Sequence, residues 1–257
     1  MLKLKTDSIL AALEVYDGCE FDVRLTRDRV LVIYHDATYR QKRLLNLNFD
    51  DLKDVLAFED FIHDRKTINL VNNAGKTLWI EAKEDSDSGF KRNSGQNKYL
   101  AESLQSKLKY SKLNPKNIRI ISFSLEILKN INAFLTLRIV PYIFCATDSY
   151  VPLYNHRTIL HLFTSIKRHI HKTKNMGIGG LLFSKKYLKG FFSLFQPRLE
   201  KLLDMGKDNF ILGTEAQTIE EERAFKDLVI ITDVRGKLKD RKQNNPRLLV
   251  CHRGLFG

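Results

Sequence analysis

Apolar and polar positions alternate along this chain in a regular order. Apolar runs of strand length fall at 18–23, 77–82, 118–122, 138–145, 178–183, 209–212, 229–232 and 248–252. Between them lie segments whose apolar residues recur at helical spacing: 8–16, 50–62, 98–110, 125–135, 158–171, 186–205 and 218–225. Thr6-Asp7-Ser8 and Thr218 are expected to cap helices, with Glu221 completing a capping box beside Thr218. The polar stretch 84–96 predicts a long loop directly after a strand. Eight strands alternating with helices predict parallel strands joined by crossovers. The expected fold class is therefore α/β, a (β/α)8 TIM barrel, with 1–257 forming one domain.

Composition supports that frame and narrows the setting. A chain of 257 residues with 43% hydrophobic content can bury a full core. Cys19, Cys145 and Cys251 are odd in number and widely spaced, which argues against a disulfide framework. The start of the chain lacks the apolar core of a signal peptide, and no run approaches the roughly 18 apolar residues of a membrane span. A soluble, cytoplasmic protein is expected. The net charge of +13 suits an anionic, phosphate-bearing partner. Its lysines and arginines are spread along the chain without aromatic-basic signatures, so no nucleic-acid partner is expected. Two basic clusters stand out, at 167–174 and 237–242. The first closes a segment in which Ile159, Leu162, Phe163, Ile166 and Ile170 recur at helical spacing. A solvated outer helix is the expectation there, and peripheral contact with an anionic membrane is the alternative.

Candidate chemistry gathers at the predicted strand ends, where barrels of this class place it. Glu20 and Asp22 stand two apart on one strand and so point the same way. Side-by-side carboxylates repel unless a cation or proton lies between them. A second apolar run, 30–34, then delivers His35 and Asp36. On residues alone, an edge hairpin with solvated acids remains open beside a metal-assisted acid/base site. Glu81 and Lys83 repeat the two-apart pattern at the end of 77–82. Ser122 and Phe123 follow the next strand, Thr232 and Asp233 end another, and His252-Arg253 end the last.

These residues carry a resemblance. Gly18-Cys19-Glu20-Phe21-Asp22-Val23, then Thr26-Arg27-Asp28, then His35-Asp36 with Arg40 following, resembles the core of the glycerophosphodiester phosphodiesterase family. The resemblance continues through 46–52, Glu81-Ala82-Lys83, Ile121-Ser122-Phe123 and Ile231-Thr232-Asp233. In that family a strand ending His-Arg-Gly comes first; here His252-Arg253-Gly254 comes last. The order is that of a circularly permuted barrel, its final strand expected between those at Gly18 and Val229. A truncated module followed by the start of a second is the rival arrangement.

The resemblance implies a metal-dependent hydrolase that releases an alcohol and glycerol 3-phosphate from glycerophosphodiesters. Glu20, Asp22 and Glu81 would hold one divalent cation, Mg or Ca, through hard oxygen ligands. His252 and His35 would act as base and acid, and Arg253 and Lys83 would hold the phosphate. In the family a glycerol hydroxyl attacks phosphorus, and water then opens the cyclic phosphate. Ser122, Phe123 and Thr214 are pocket candidates. The substrate implied is a small-molecule or lipid-derived phosphodiester. Lysophospholipid or sphingolipid cleavage at a membrane surface and a non-catalytic binding barrel are the alternative readings. One departure bears on the pocket: Gly213 stands before Thr214 where the family carries tryptophan. The single tryptophan, Trp79, is expected to pack outward.

Overall fold

The computed structural model describes residues 2–84, 94–133, 142–146, 166–183, 203–204, 210–225, 227–232 and 249–251. They belong to two compact units, Met1–Pro141 with Val250–Gly257, and Tyr142–Leu249. Both are α/β.

In the first unit, α1 (Leu2–Val15) leads into β1 (Gly18–Leu25). The helix begins before the expected 8–16, because Leu2-Lys3-Leu4-Lys5 are good helix formers that carry it through the anticipated caps. Its Ile9, Leu10, Ala12 and Leu13 are buried. The chain then turns sharply at Arg29, whose φ is 63°, and returns as β2 (Leu31–Ile33), antiparallel to β1. A two-residue hairpin follows, β3 (Thr38–Tyr39) and β4 (Lys42–Arg43). Arg40 and Gln41 at its tip have φ of 48° and 67°, the left-handed turn whose twist suits paired strands. Val32, Tyr39, Leu44, Leu52 and Val55 form a small core beneath it.

Residues 50–62, expected as one helix, do not form one. Phe49–Asp51 make a single 3-10 turn, β5 (Leu56–Ala57) pairs with β2, and only α2 (Phe58–His63) is helical. The cause is local. Asp28 accepts from the Phe49 N–H and Asp51 from the Asn48 N–H, which ties the turn down before a helix can extend. An unanticipated helix, α3 (Arg65–Asn72), starts on Asp64, whose carboxylate accepts from the Thr67 N–H. Phe21 packs against Phe58 and Phe61 of α2 at ring-centroid distances of 6.4 and 5.2 Å.

β6 (Thr77–Ala82) and β7 (Ile118–Ser122) extend the sheet, β1, β6 and β7 being parallel in that order. Between β6 and β7 runs α4 (Ser94–Tyr110), so 94–96 of the expected loop are helical; α5 (Leu125–Ala133) follows β7. Val250 and Cys251 of β12 (Leu249–Cys251) pair parallel with Gly18 and Cys19, on the other side of β1 from β6. The last strand thus adjoins the first as anticipated.

In the second unit, β8 (Tyr142–Ala146), β9 (Gly180–Phe183), β10 (Ile211–Ala216) and β11 (Val229–Thr232) form a parallel run in that order. The described part of the basic segment is helical at Ile166–Asn175, which becomes α6. Ile170 is buried while His171, Lys172 and Lys174 are exposed, the pattern of an outer helix. Helix α7 (Ile219–Ala224) is capped by Thr218, and Glu221 accepts from the Gln217 N–H. No described helix is long and apolar enough to cross a membrane.

Candidate functional site

Register explains why three acids meet. In β1 the side chains alternate, so Glu20 and Asp22 share a face. Asp22 lies level with Glu81 of β6, and Glu20 with Trp79. One face therefore carries Glu20, Asp22, Glu81 and Trp79 together. Carboxylate oxygens of the three acids lie within 4.8 Å of one another, and the residues are only 1, 4 and 7% exposed. Burial disfavours three neighbouring negative charges, and each raises the cost of the next. Lys83 enters this cluster: its Nζ lies 3.1 Å from Asp22 Oδ1 and 3.3 Å from Glu81 Oε1. A donor set of buried carboxylate oxygens converging from two strands fits a hard divalent cation rather than a thiophilic one.

Trp79 does not pack outward. Pairing with Glu20 puts it on the carboxylate face, fully buried, its Nε1 donating to Thr77 Oγ1 at 3.0 Å. Gly18 makes the space: a Cβ there would fall 2.3 Å from Thr77 Oγ1 and 3.3 Å from Trp79 Cδ1. The lone tryptophan thus sits one pair below the Asp22–Glu81 level.

His35 follows β2 where that strand is tied to β1, the Tyr34 N–H donating to the Asp22 carbonyl at 3.1 Å. Its side chain is 39% exposed, and its Nδ1 donates to Asp36 Oδ1 at 2.6 Å. That bond leaves Nε2 as the position for exchanging a proton with a ligand. Burial, and then the negative charge of Asp36, hold the neighbouring Tyr34 phenol above its ordinary range. Arg24 braces this corner, its Nε donating to the His35 carbonyl at 2.8 Å and Nη1 to the Glu84 carbonyl at 3.0 Å. Sequence reasoning passed over Arg24, although the same two-residue period that links Glu20 to Asp22 extends to it.

The remaining strand-end residues have varied surroundings. Ser122 is fully buried, its Oγ donating to the Ala82 carbonyl at 2.7 Å and accepting from the Ser124 N–H. Phe123 is half-buried just beyond it. In the second unit, Thr214 Oγ1 donates to the Phe183 carbonyl at 2.8 Å, and Gly213 allows β9 and β10 to close up, since a Cβ would lie 2.4 Å from Leu182 Cδ2. Thr232 Oγ1 donates to the buried Glu222 at 2.6 Å. His252, Arg253 and Asp233 lie outside the described residues.

The model of the glycerophosphoryl diester phosphodiesterase family matches residues 7–175, which include Glu20, Asp22, His35, Glu81 and Lys83. Among solved structures, the chain is similar to a glycerophosphodiester phosphodiesterase from Parabacteroides distasonis ATCC 8503, at 19% identity and a TM-score of 0.57 over 96% of this chain and 84% of that one. A putative glycerophosphoryl diester phosphodiesterase from Silicibacter pomeroyi DSS-3 superimposes with a TM-score of 0.62 at 12% identity, covering 95% and 82%. A phosphodiesterase from Oleispira antarctica, solved in complex with the product sn-glycerol-3-phosphate, gives 0.57 at 12% identity, covering 96% and 86%. No curated protein matches the chain.

Proposed function

The chain belongs to the glycerophosphoryl diester phosphodiesterase family and is a phosphoric diester hydrolase, and from that premise we propose that it cleaves glycerophosphodiesters to an alcohol and glycerol 3-phosphate with one divalent cation on Glu20, Asp22 and Glu81. The observation that carries the reading is the convergence of those three buried acids with Lys83 on one strand face. A bound cation would withdraw charge from phosphorus and offset the negative charge that grows in the transition state. Mg²⁺ and Ca²⁺ both suit the all-oxygen donor set.

The remaining work falls to the chain's own residues. Lys83 holds a non-bridging phosphate oxygen as a point charge, and Arg253 grips another as a fork. His35 delivers a proton from Nε2 to one side of the phosphodiester, its imidazolium stabilised by Asp36 on Nδ1. His252 accepts the proton of the attacking hydroxyl. Pairing of Cys251 with Cys19 supports the placement of His252, because it brings the strand before His252 next to the one that carries Glu20. The same pairing supports a single circularly permuted (β/α)8 barrel, with the His-Arg-Gly strand last in the chain but first in the family's order.

Release of choline from glycerophosphocholine, followed with and without EDTA, tests the reaction. Loss with EDTA and return with Mg²⁺ or Ca²⁺ is expected, and activity indifferent to EDTA would overturn the metal reading. Moving residues 240–257 in front of Met1 tests the permutation. That chain should keep activity within about tenfold, since β12 already pairs with β1.

A further inference from the structure

Between Asp148 and Glu200 the chain runs for 51 residues without an aspartate or a glutamate. Nine lysines and arginines fall in the same stretch, so it supplies +9 of the chain's net charge of +13. An even spread of the chain's 30 acids over its 257 residues would place about six there. Helix α6 lies within this stretch, in the second unit. It turns Ile170 and Thr173, 0 and 1% exposed, inward and leaves His171, Lys172, Lys174 and Asn175 exposed. Lys167 and Arg168 stand one helical turn before His171 and Lys172. Lys174 Nζ lies 5.2 Å from the centroid of the Phe210 ring, so its charge is held at this face. A helix C-terminus favours cations in its last turn, and that accounts for Lys172 and Lys174 as individuals. It does not account for a stretch cleared of acids, because a solvated outer helix is served as well by Glu–Lys pairs.

We propose that the exposed side of α6 docks the protein on an anionic lipid bilayer through charge. Charge complementarity carries the assignment: each lysine or arginine close to an anionic leaflet adds roughly fivefold in affinity, and no acid of this stretch opposes it. Ile170 faces the interior of its own unit, so attraction rather than insertion of that residue holds the helix to lipid. Such binding weakens as salt screens it. The choice of lipid over nucleic acid rests on the phosphodiesterase reading above, because a glycerophosphodiester is the polar end of a phospholipid without its acyl chains. Docking holds the enzyme beside the surface from which such headgroups come.

Sedimentation with vesicles of phosphatidylcholine, alone or mixed with phosphatidylglycerol, tests the proposal. The parent is expected to sediment with the mixed vesicles, to ignore phosphatidylcholine alone and to let go as salt rises. Lys172→Gln with Lys174→Gln should weaken binding to mixed vesicles by about 25-fold, and Lys172→Arg with Lys174→Arg should keep it within about threefold. Lys109→Gln with Lys112→Gln removes the same charge from exposed lysines of the first unit and should cost no more than about threefold. Melting temperature and hydrolysis of dissolved glycerophosphocholine, unchanged in all three pairs, show that the fold is kept. Equal binding to both kinds of vesicle, or equal losses at the two lysine pairs, would overturn the docking surface and leave the phosphodiesterase reading standing. Tighter binding of the parent to a single-stranded RNA, lost with Lys172→Gln and Lys174→Gln, would overturn it in favour of a nucleic acid. Vesicle binding as expected, by an enzyme that leaves glycerophosphocholine intact, would sink the phosphodiesterase reading and keep the docking surface.

Discussion

Two buried acids of this protein, one in each compact unit, illustrate opposite uses of burial. Glu222 of the second unit is 3% exposed and accepts the Thr232 hydroxyl at 2.6 Å. That acid meets a neutral donor, and the bond ties α7 to the end of β11. Glu20 of the first unit is 1% exposed, but it shares its strand face with Asp22 and Glu81, their oxygens within 4.8 Å of one another. No hydroxyl can settle three converging carboxylates, and Lys83 brings a single positive charge to two of them. A buried acid alone is therefore weak evidence for chemistry. Convergence of acids is the informative feature, because the repulsion it stores is relieved by what binds there.

The sharpest way to break this contrast is to remove one of the three acids. Glu81→Ala should lower kcat/KM by about 10³-fold or more, the range lost with a principal electrostatic stabiliser. The apo form should melt no lower than the parent, since a repelling charge has gone. Adding Mg²⁺ or Ca²⁺ should raise the melting temperature of the parent by linkage and leave that of Glu81→Ala unmoved. A thermal scan with and without cation reads both outcomes, and a cation-induced shift that survives in Glu81→Ala would dissolve the distinction between the two acids.

His35 lies next in size. His35→Ala should cost about 10²- to 10⁴-fold in kcat, the usual share of one general acid or base. Asp36→Asn keeps the shape of the pair but removes the charge that stabilises the imidazolium, so a smaller loss of about tenfold is expected, with the alkaline limb of the kcat profile, where His35 loses its proton, moved to lower pH. Neither change should alter the cation-induced melting shift, because the cation's ligands are Glu20, Asp22 and Glu81. A shift lost in His35→Ala would extend the metal site beyond β1 and β6.

Much of this site was legible in the chain. A period of two made Glu20 and Asp22 share a face, and the same period linked Glu81 with Lys83. Strand pairing was not legible, since parallel register depends on partners far apart in sequence. That is why Trp79 was expected to face outward, whereas its level with Glu20 turns it toward the acids. Segment 50–62 was misjudged for a different reason. Helical spacing in 50–62 was real, but the side-chain acceptors Asp28 and Asp51 held its start in a 3-10 turn. Conversely, α3 was missed although Asp64 stood as its cap, because a short helix leaves little periodicity to find. His252 and Arg253 are proposed on the motif, and the pairing of Cys251 with Cys19 supports the position of the strand before them.

The smallest effect falls on the other side of the comparison, and it tests whether Glu222 belongs to the fold rather than to the chemistry. Thr232→Val keeps the shape of the side chain and deletes its hydroxyl, so the carboxylate of Glu222 loses the donor at 2.6 Å while staying buried. Losing a hydrogen bond to a buried carboxylate costs about 1.5–3 kcal/mol, which should appear as a lower melting temperature in apo and cation-loaded protein alike. Replacing both partners, Thr232→Val with Glu222→Leu, should recover part of that loss, because two apolar groups no longer demand a hydrogen bond. The increment that Mg²⁺ or Ca²⁺ adds to the melting temperature should stay the same in both variants. If Thr232→Val instead shrank that increment and left the apo melting temperature in place, Glu222 would have to be counted with Glu20, Asp22 and Glu81 as part of the cation's surroundings.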